Sequence, residues 1–152
     1  MVLRDWAGIL ETGHKQLDAQ QEAVIALADE VERLCACCEL RDEVASGIET
    51  MRSGMAAYFA YKDSLMSLLP FGWYSGMIAA HTASHAMMLG AMDQLAQAVR
   101  QNMPPISVAG EFSRLMTRML ADLIAKDSAL VGALMREGHL QPTGTPIPPP
   151  IG

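Results

Sequence analysis

Core-type positions recur at spacings of three and four residues over four separate stretches of the chain. The first set is Leu17, Gln21, Val24, Ala28, Val31, Cys35 and Cys38, and the second is Ile48, Met51, Met55, Tyr58, Lys62, Leu65 and Leu69. The third is Ile78, His81, His85, Met88, Met92, Leu95 and Val99, and the fourth is Leu123, Asp127, Leu130 and Leu134. Such spacing keeps each set on one helical face. The pattern predicts helices near 14–40, 42–69, 75–102 and 107–138. Breaks are marked by Pro70-Phe71-Gly72, by Pro104-Pro105 and by Gly138, and more weakly by the charged run from Glu39 to Glu43. The fold class expected is all-α, an up-down-up-down four-helix bundle occupying residues 1–140, with residues 1–13 as an arm. Residues 141–152 hold five prolines and cannot be helical. They read either as a flexible tail or as an extended strap along the bundle or a neighbour.

Six of these core positions are polar: Gln21, Tyr58, Lys62, His81, His85 and Asp127. Gln21 and the histidines lie early in their helices, Tyr58 and Lys62 late, and Asp127 past the middle. In the expected topology those positions share one end of the bundle. Buried polar groups cost free energy unless they are paired or bind something, so this layer is where function is sought.

Composition narrows the partners. The 152 residues are 51% hydrophobic, with twelve methionines, enough for one sizeable core. The net charge of −6 and the absence of a basic cluster argue against nucleic acid or an anionic membrane surface as partner. The first residues lack the long apolar core of a signal peptide, and no stretch is apolar long enough to span a bilayer. A soluble, cytoplasmic protein is expected. Cys35, Cys37 and Cys38 are odd in number and clustered, which is not a disulfide framework. Cys35 and Cys38 lie on the core stripe, and Cys37 is the better candidate for an exposed thiol. Nothing points to an enzyme: no nucleophile–base pairing or Gly-rich phosphate loop is visible, and neither His81 nor His85 has a Glu three residues before it. His14 and His139 are expected to be solvated.

Several motifs resemble those of the bacterial hemerythrins. Trp6 leads to Gly13 and then to Leu17-Asp18-x-Gln20-Gln21, similar to that family's Ile/Leu-Asp-x-Gln-His. Tyr58-Phe59-x-x-Lys62-Asp63-x-x-Met66 is similar to His-Phe-x-x-Glu-Glu-x-x-Met, and His81-x-x-Ser84-His85 to His-x-x-Glu-His. Asp122-Leu123, followed after three residues by Asp127, is similar to the family's His-Ile and Asp at the same spacing. The resemblance covers Trp6 to about Leu134, in order.

The resemblance implies a four-helix bundle whose family members bind dioxygen at two carboxylate-bridged irons held by five His, one Glu and one Asp. The matching positions are Gln21, Tyr58, Lys62, His81, His85, Asp122 and Asp127, and only His81, His85 and Asp127 keep the family's residue. Gln is a poor iron ligand, Tyr binds well only as phenolate, and a lysine at a bridging position would repel a metal beside it. A di-iron centre is therefore not expected. Two readings stay open. One is a single divalent metal (iron, zinc or manganese) held by His81, His85, Asp127 and Asp122, with Tyr58, Lys62 and Gln21 around it and a small ligand such as dioxygen bound there. The other is a metal-free module in which these side chains satisfy one another and the bundle serves a protein partner. Asp122 lies off the core stripe, about 140° round from Asp127, so on its own it reads as a surface carboxylate.

Overall fold

The computed structural model describes residues 11–37, 40–141 and 144–148. The described residues form four helices, α1 (Lys15–Cys37), α2 (Arg41–Met66), α3 (Phe71–Arg100) and α4 (Pro105–Arg136). Links this short force sequential helices to run antiparallel, and each packs on the next, while α4 returns against α1 to close the bundle. The expected all-α four-helix bundle is the architecture found. Of the N-terminal arm, residues 1–10 lie outside the described residues, Trp6 among them, as do Cys38 and Glu39.

The helix ends follow local chemistry. In the first turn of α1, Asp18 accepts hydrogen bonds from the Thr12 N–H (2.8 Å) and hydroxyl and from the Gly13 N–H (3.1 Å). His14 Nδ1 accepts the Leu17 N–H at 3.2 Å, satisfying one of the orphan donors of the first turn. Asp42 and Glu43 open α2, where carboxylates suit the positive end of the helix dipole. Helix α3 starts at Phe71, four residues ahead of the expected position. Pro70 cannot sit inside a helix but makes a ready N-cap, so Phe71, Trp73 and Tyr74 enter the first turn rather than a loop. At the other end of α3, Asn102 takes φ 78° and Met103 N–H reaches back to the Ala98 carbonyl (3.0 Å), closing the helix before Pro104 and Pro105 restart the chain.

The core stripes of the four helices face one another. Methionines fill much of the centre, with Met51, Met55, Met88, Met92, Met116 and Met119 essentially inaccessible. Their unbranched side chains fit irregular gaps between helices. Between α1 and α2 the fit is closer: a Cβ on Gly47 would overlap Leu34 Cδ1, and one on Gly54 would overlap Leu27 Cδ1. Cys35 is half-buried against the core and Cys37 is exposed.

The described part of the tail turns back over the start of α1. Leu140 pairs with Pro146, Gln141 N–H donates to the Thr145 carbonyl (3.0 Å), and Lys15 N–H donates to the Gly144 carbonyl at 3.1 Å. Residues 144–148 are thus a strap on their own bundle. Together with Tyr61, whose ring meets His14 edge-on, this end of the molecule leaves His14 only 1% exposed. The expectation that His14 is solvated is corrected: it caps a helix from inside. His139 is partly buried.

Candidate functional site

Asp127, on α4, is 1% exposed and carries the centre of a hydrogen-bonded layer. Its Oδ1 accepts from Lys62 Nζ at 2.8 Å. Its Oδ2 accepts from Gln21 Nε2 at 3.0 Å and from the Tyr58 hydroxyl. Helices α1, α2 and α4 therefore meet through one carboxylate. Lys62 is 2% exposed, and its ammonium also lies over the rings of Tyr58 (4.7 Å to the centroid) and Phe59 (5.1 Å). Burial lowers the Lys62 pKa against the opposing pull of Asp127. Burial, with the Asp127 charge next, pushes the Tyr58 phenol far up, so it stays a neutral donor rather than a phenolate.

The histidines stand beside this layer, on α3. His81 Nδ1 is 3.0 Å from the Met77 carbonyl. A carbonyl only accepts, so Nδ1 carries the proton and Nε2 keeps its lone pair. That Nε2 is buried with no hydrogen-bond partner. His85 stacks flat on Phe59, with centroids 4.1 Å apart, and meets His81 edge-on. Both of its ring nitrogens are buried without a hydrogen bond. Asp63 Oδ1 lies 3.3 Å from His85 Nδ1, but not in hydrogen-bonding geometry. Burial, then Lys62 and His81, lowers the His85 pKa to about 3, and burial likewise lowers that of His81. Both imidazoles are neutral at pH 7.

Asp122 is half-buried. It accepts hydrogen bonds from the Ser84 hydroxyl and from Lys126, one turn further along α4. Burial opposes its charge, yet those two donors prevail and hold the carboxyl below its usual range. Among the described residues, no three His, Cys, Asp or Glu side chains gather in an arrangement able to hold a metal ion. The seven positions singled out from the sequence thus fall into three adjoining units: the Asp127 network with Gln21, Tyr58 and Lys62; the two histidines, with three ring nitrogens that make no hydrogen bond; and Asp122 with its own cation.

Phe59, on which His85 stacks, was read only as a motif position, and the Asp122 partner Lys126 was not singled out. Phe59 follows Tyr58 in sequence, so its burial widens the apolar face of α2, and a strict three-four stripe misses it. Lys126 carries a plain signal, a cation four residues after Asp122. A cavity of about 320 Å³ bordered by Asp63, Met66, Leu69, Phe71 and Ile78 opens at this end of the bundle. No helix among the described residues is long and apolar enough to cross a membrane. Comparison of the chain with models of protein families, with curated proteins and with solved structures gave no match.

Proposed function

We propose that this protein is a hemerythrin-like binding or sensing protein without a di-iron dioxygen site, which takes at most one divalent metal through His81 and His85. The observation that carries the reading is the set of buried, unpartnered ring nitrogens, His81 Nε2 and both nitrogens of His85. Buried polar atoms are nearly always paired, so a pair of neutral imidazoles one helical turn apart calls for a ligand. The bond between His81 Nδ1 and the Met77 carbonyl is the kind of outer contact that fixes a ligating imidazole. The cavity bordered by Asp63, whose Oδ1 lies 3.3 Å from His85 Nδ1, opens at the same end of the bundle.

The donor set does not fit two metal ions. Both Asp127 oxygens are engaged by Lys62, Gln21 and Tyr58, and Asp122 is held by Lys126 and Ser84. The Lys62 ammonium occupies the layer where a second cation would sit. Zinc, iron or manganese, if held, would rest on two imidazoles and solvent, with a position left for a small ligand such as dioxygen. No catalytic role is proposed.

A second reading, a metal-free bundle acting as a helical interaction module, draws on the same saturated carboxylates. It also draws on the exposed Leu68, Phe71 and Trp73 beside the α2–α3 link, Trp73 being 89% exposed. Elemental analysis of protein made in iron- and zinc-supplemented medium separates the two. About one equivalent of metal, lost in His81→Ala and His85→Ala while helical content holds, supports the first reading. No metal, or uptake indifferent to both substitutions, overturns it in favour of the second.

A further inference from the structure

A second cavity lies away from the polar layer, in a trough between α3 and α4. Its volume is about 380 Å³, within the ~300–1,000 Å³ common to small-ligand sites. The trough is lined by Leu95, Ala98, Met103 and Leu115, with Arg114 and Arg118 along one wall. Leu95 is buried, while Ala98, Met103 and Leu115 are partly open to the trough.

The two arginines are unusual in their setting. They are four residues apart on α4, so like charges face each other across one helical turn. Glu111, which also lines the trough, neutralises Arg114. Arg118 makes no ion pair or hydrogen bond among the described residues, in a chain whose net charge is −6. Gln94, on the facing helix, also lines the cavity. One unpaired guanidinium at the edge of an apolar trough matches a ligand with one negative head and an apolar body. A polyphosphate would bring its extra charge against Glu111 and leave the apolar floor unused.

We propose that the α3–α4 trough is a binding site for a free single-chain carboxylate, a medium-chain fatty acid, with Arg118 holding the carboxylate and Leu95, Ala98, Met103 and Leu115 covering the chain. The site is separate from the histidines and does not rest on the reading given for them.

The test is an NMR titration of the intact chain at pH 7 with decanoate below its micelle concentration, with decanol and with anionic phospholipid vesicles run alongside. Decanoate should shift amides within 91–98 and 111–118, and bind about tenfold more tightly than decanol, since a charge-assisted hydrogen bond is at stake. Arg118→Gln, on an exposed position, should weaken decanoate about tenfold and leave decanol unchanged. Equal binding of acid and alcohol, an unaffected Arg118→Gln, shifts mapping elsewhere, absence of binding, or binding to the vesicles alone would each overturn the proposal.

Discussion

Replacing Asp127 with alanine isolates the energetics of the polar layer. The substitution removes the acceptor of Lys62, at 2.8 Å, together with the acceptor of Gln21 and Tyr58. An ammonium that is 2% exposed cannot stay charged there without a counter-ion. Shedding the proton at pH 7 costs about 4.6 kcal/mol, from roughly 3.4 pKa units at 1.36 kcal/mol each. That figure bounds the charge contribution from above, because burial already lowers the Lys62 pKa in the intact protein. Orphaning the Tyr58 and Gln21 donors adds about 1–3 kcal/mol apiece at most. Breaking buried pairs of this kind typically costs about 3–5 kcal/mol, and a loss of that order is expected here. It would be a large share of the ~5–15 kcal/mol that holds an ordinary domain together.

The assay is urea denaturation followed by far-UV circular dichroism, at pH 7 and again at pH 9. In Asp127→Ala the folded pKa of Lys62 falls further below its ordinary value, so the unfolded chain binds the extra proton. Stability of the variant must then rise with pH in the window between the depressed folded value and the unfolded one near 10.5. The deficit should shrink by up to about 1.4 kcal/mol per pH unit. Lys62→Met combined with Asp127→Asn should recover most of the loss, because the asparagine carbonyl still accepts from Tyr58 and a rotated Gln21 amide can accept from the asparagine N–H. A deficit below about 1 kcal/mol at pH 7, or one that is flat between pH 7 and 9, would refute the account of a charged lysine held by this carboxylate.

Acid should destabilise the fold well before its carboxylates protonate. His14, His81 and His85 all have pKa values lowered by burial, His85 to about 3. Below pH 6.5 the unfolded chain therefore takes up protons that the folded one refuses, and stability falls by up to about 1.4 kcal/mol per pH unit for each histidine until its folded value is passed. Calorimetry at pH 7 and 5 should show this; a melting temperature unchanged over that range would contradict the burial of all three. Gly144→Ala should release the strap, because Gly144 has φ 74° and a Cβ there would collide with the Gly13 carbonyl. Hydrogen exchange at the Lys15 amide should speed up by tenfold or more, with the four helices still folded, since its bond to Gly144 is lost. Protection at Lys15 equal to that of the parent would argue against the docked tail.

Much of this layer could be read from the chain because core position and polarity are both written locally. Gln21, Tyr58, Lys62 and Asp127 interrupt apolar stripes of helical period, and short links leave only one end of the bundle for them to share. The spacing of His81 and His85 is similarly local. What stayed hidden depends on distant partners or on rotation about a helix axis. Burial of His14 comes from Tyr61 and from a tail more than a hundred residues away. Lys126 precedes Asp127 by one residue yet turns about 100° from it, which takes it off the core stripe and onto Asp122. The early start of α3 turned on whether Pro70 ends a loop or caps a helix; Phe71 and Trp73 are exposed there, and the tie from that turn is the Tyr74 hydroxyl donating to Glu137, 63 residues on. The trough beside Arg118 arises between two helices, and a one-dimensional pattern does not reveal the space between them.

The two glycines of α2 have a consequence for accuracy of alignment. Leu27 sits over Gly54 and Leu34 over Gly47, each pair seven residues from the other in opposite directions along the chain. Helices α1 and α2 are thereby indexed against each other like two rulers pinned at two marks. Sliding one by a single turn, about 5.4 Å, would set each leucine against a side chain instead of a hydrogen atom. The pinned setting places Gln21 six residues before Leu27, level with the stretch four to eight residues after Gly54, where Tyr58 and Lys62 lie. A bond of 3.0 Å from Gln21 to Asp127 leaves no room for an error of one turn. The glycines, themselves outside the polar layer, set the positional tolerance within which that layer can assemble.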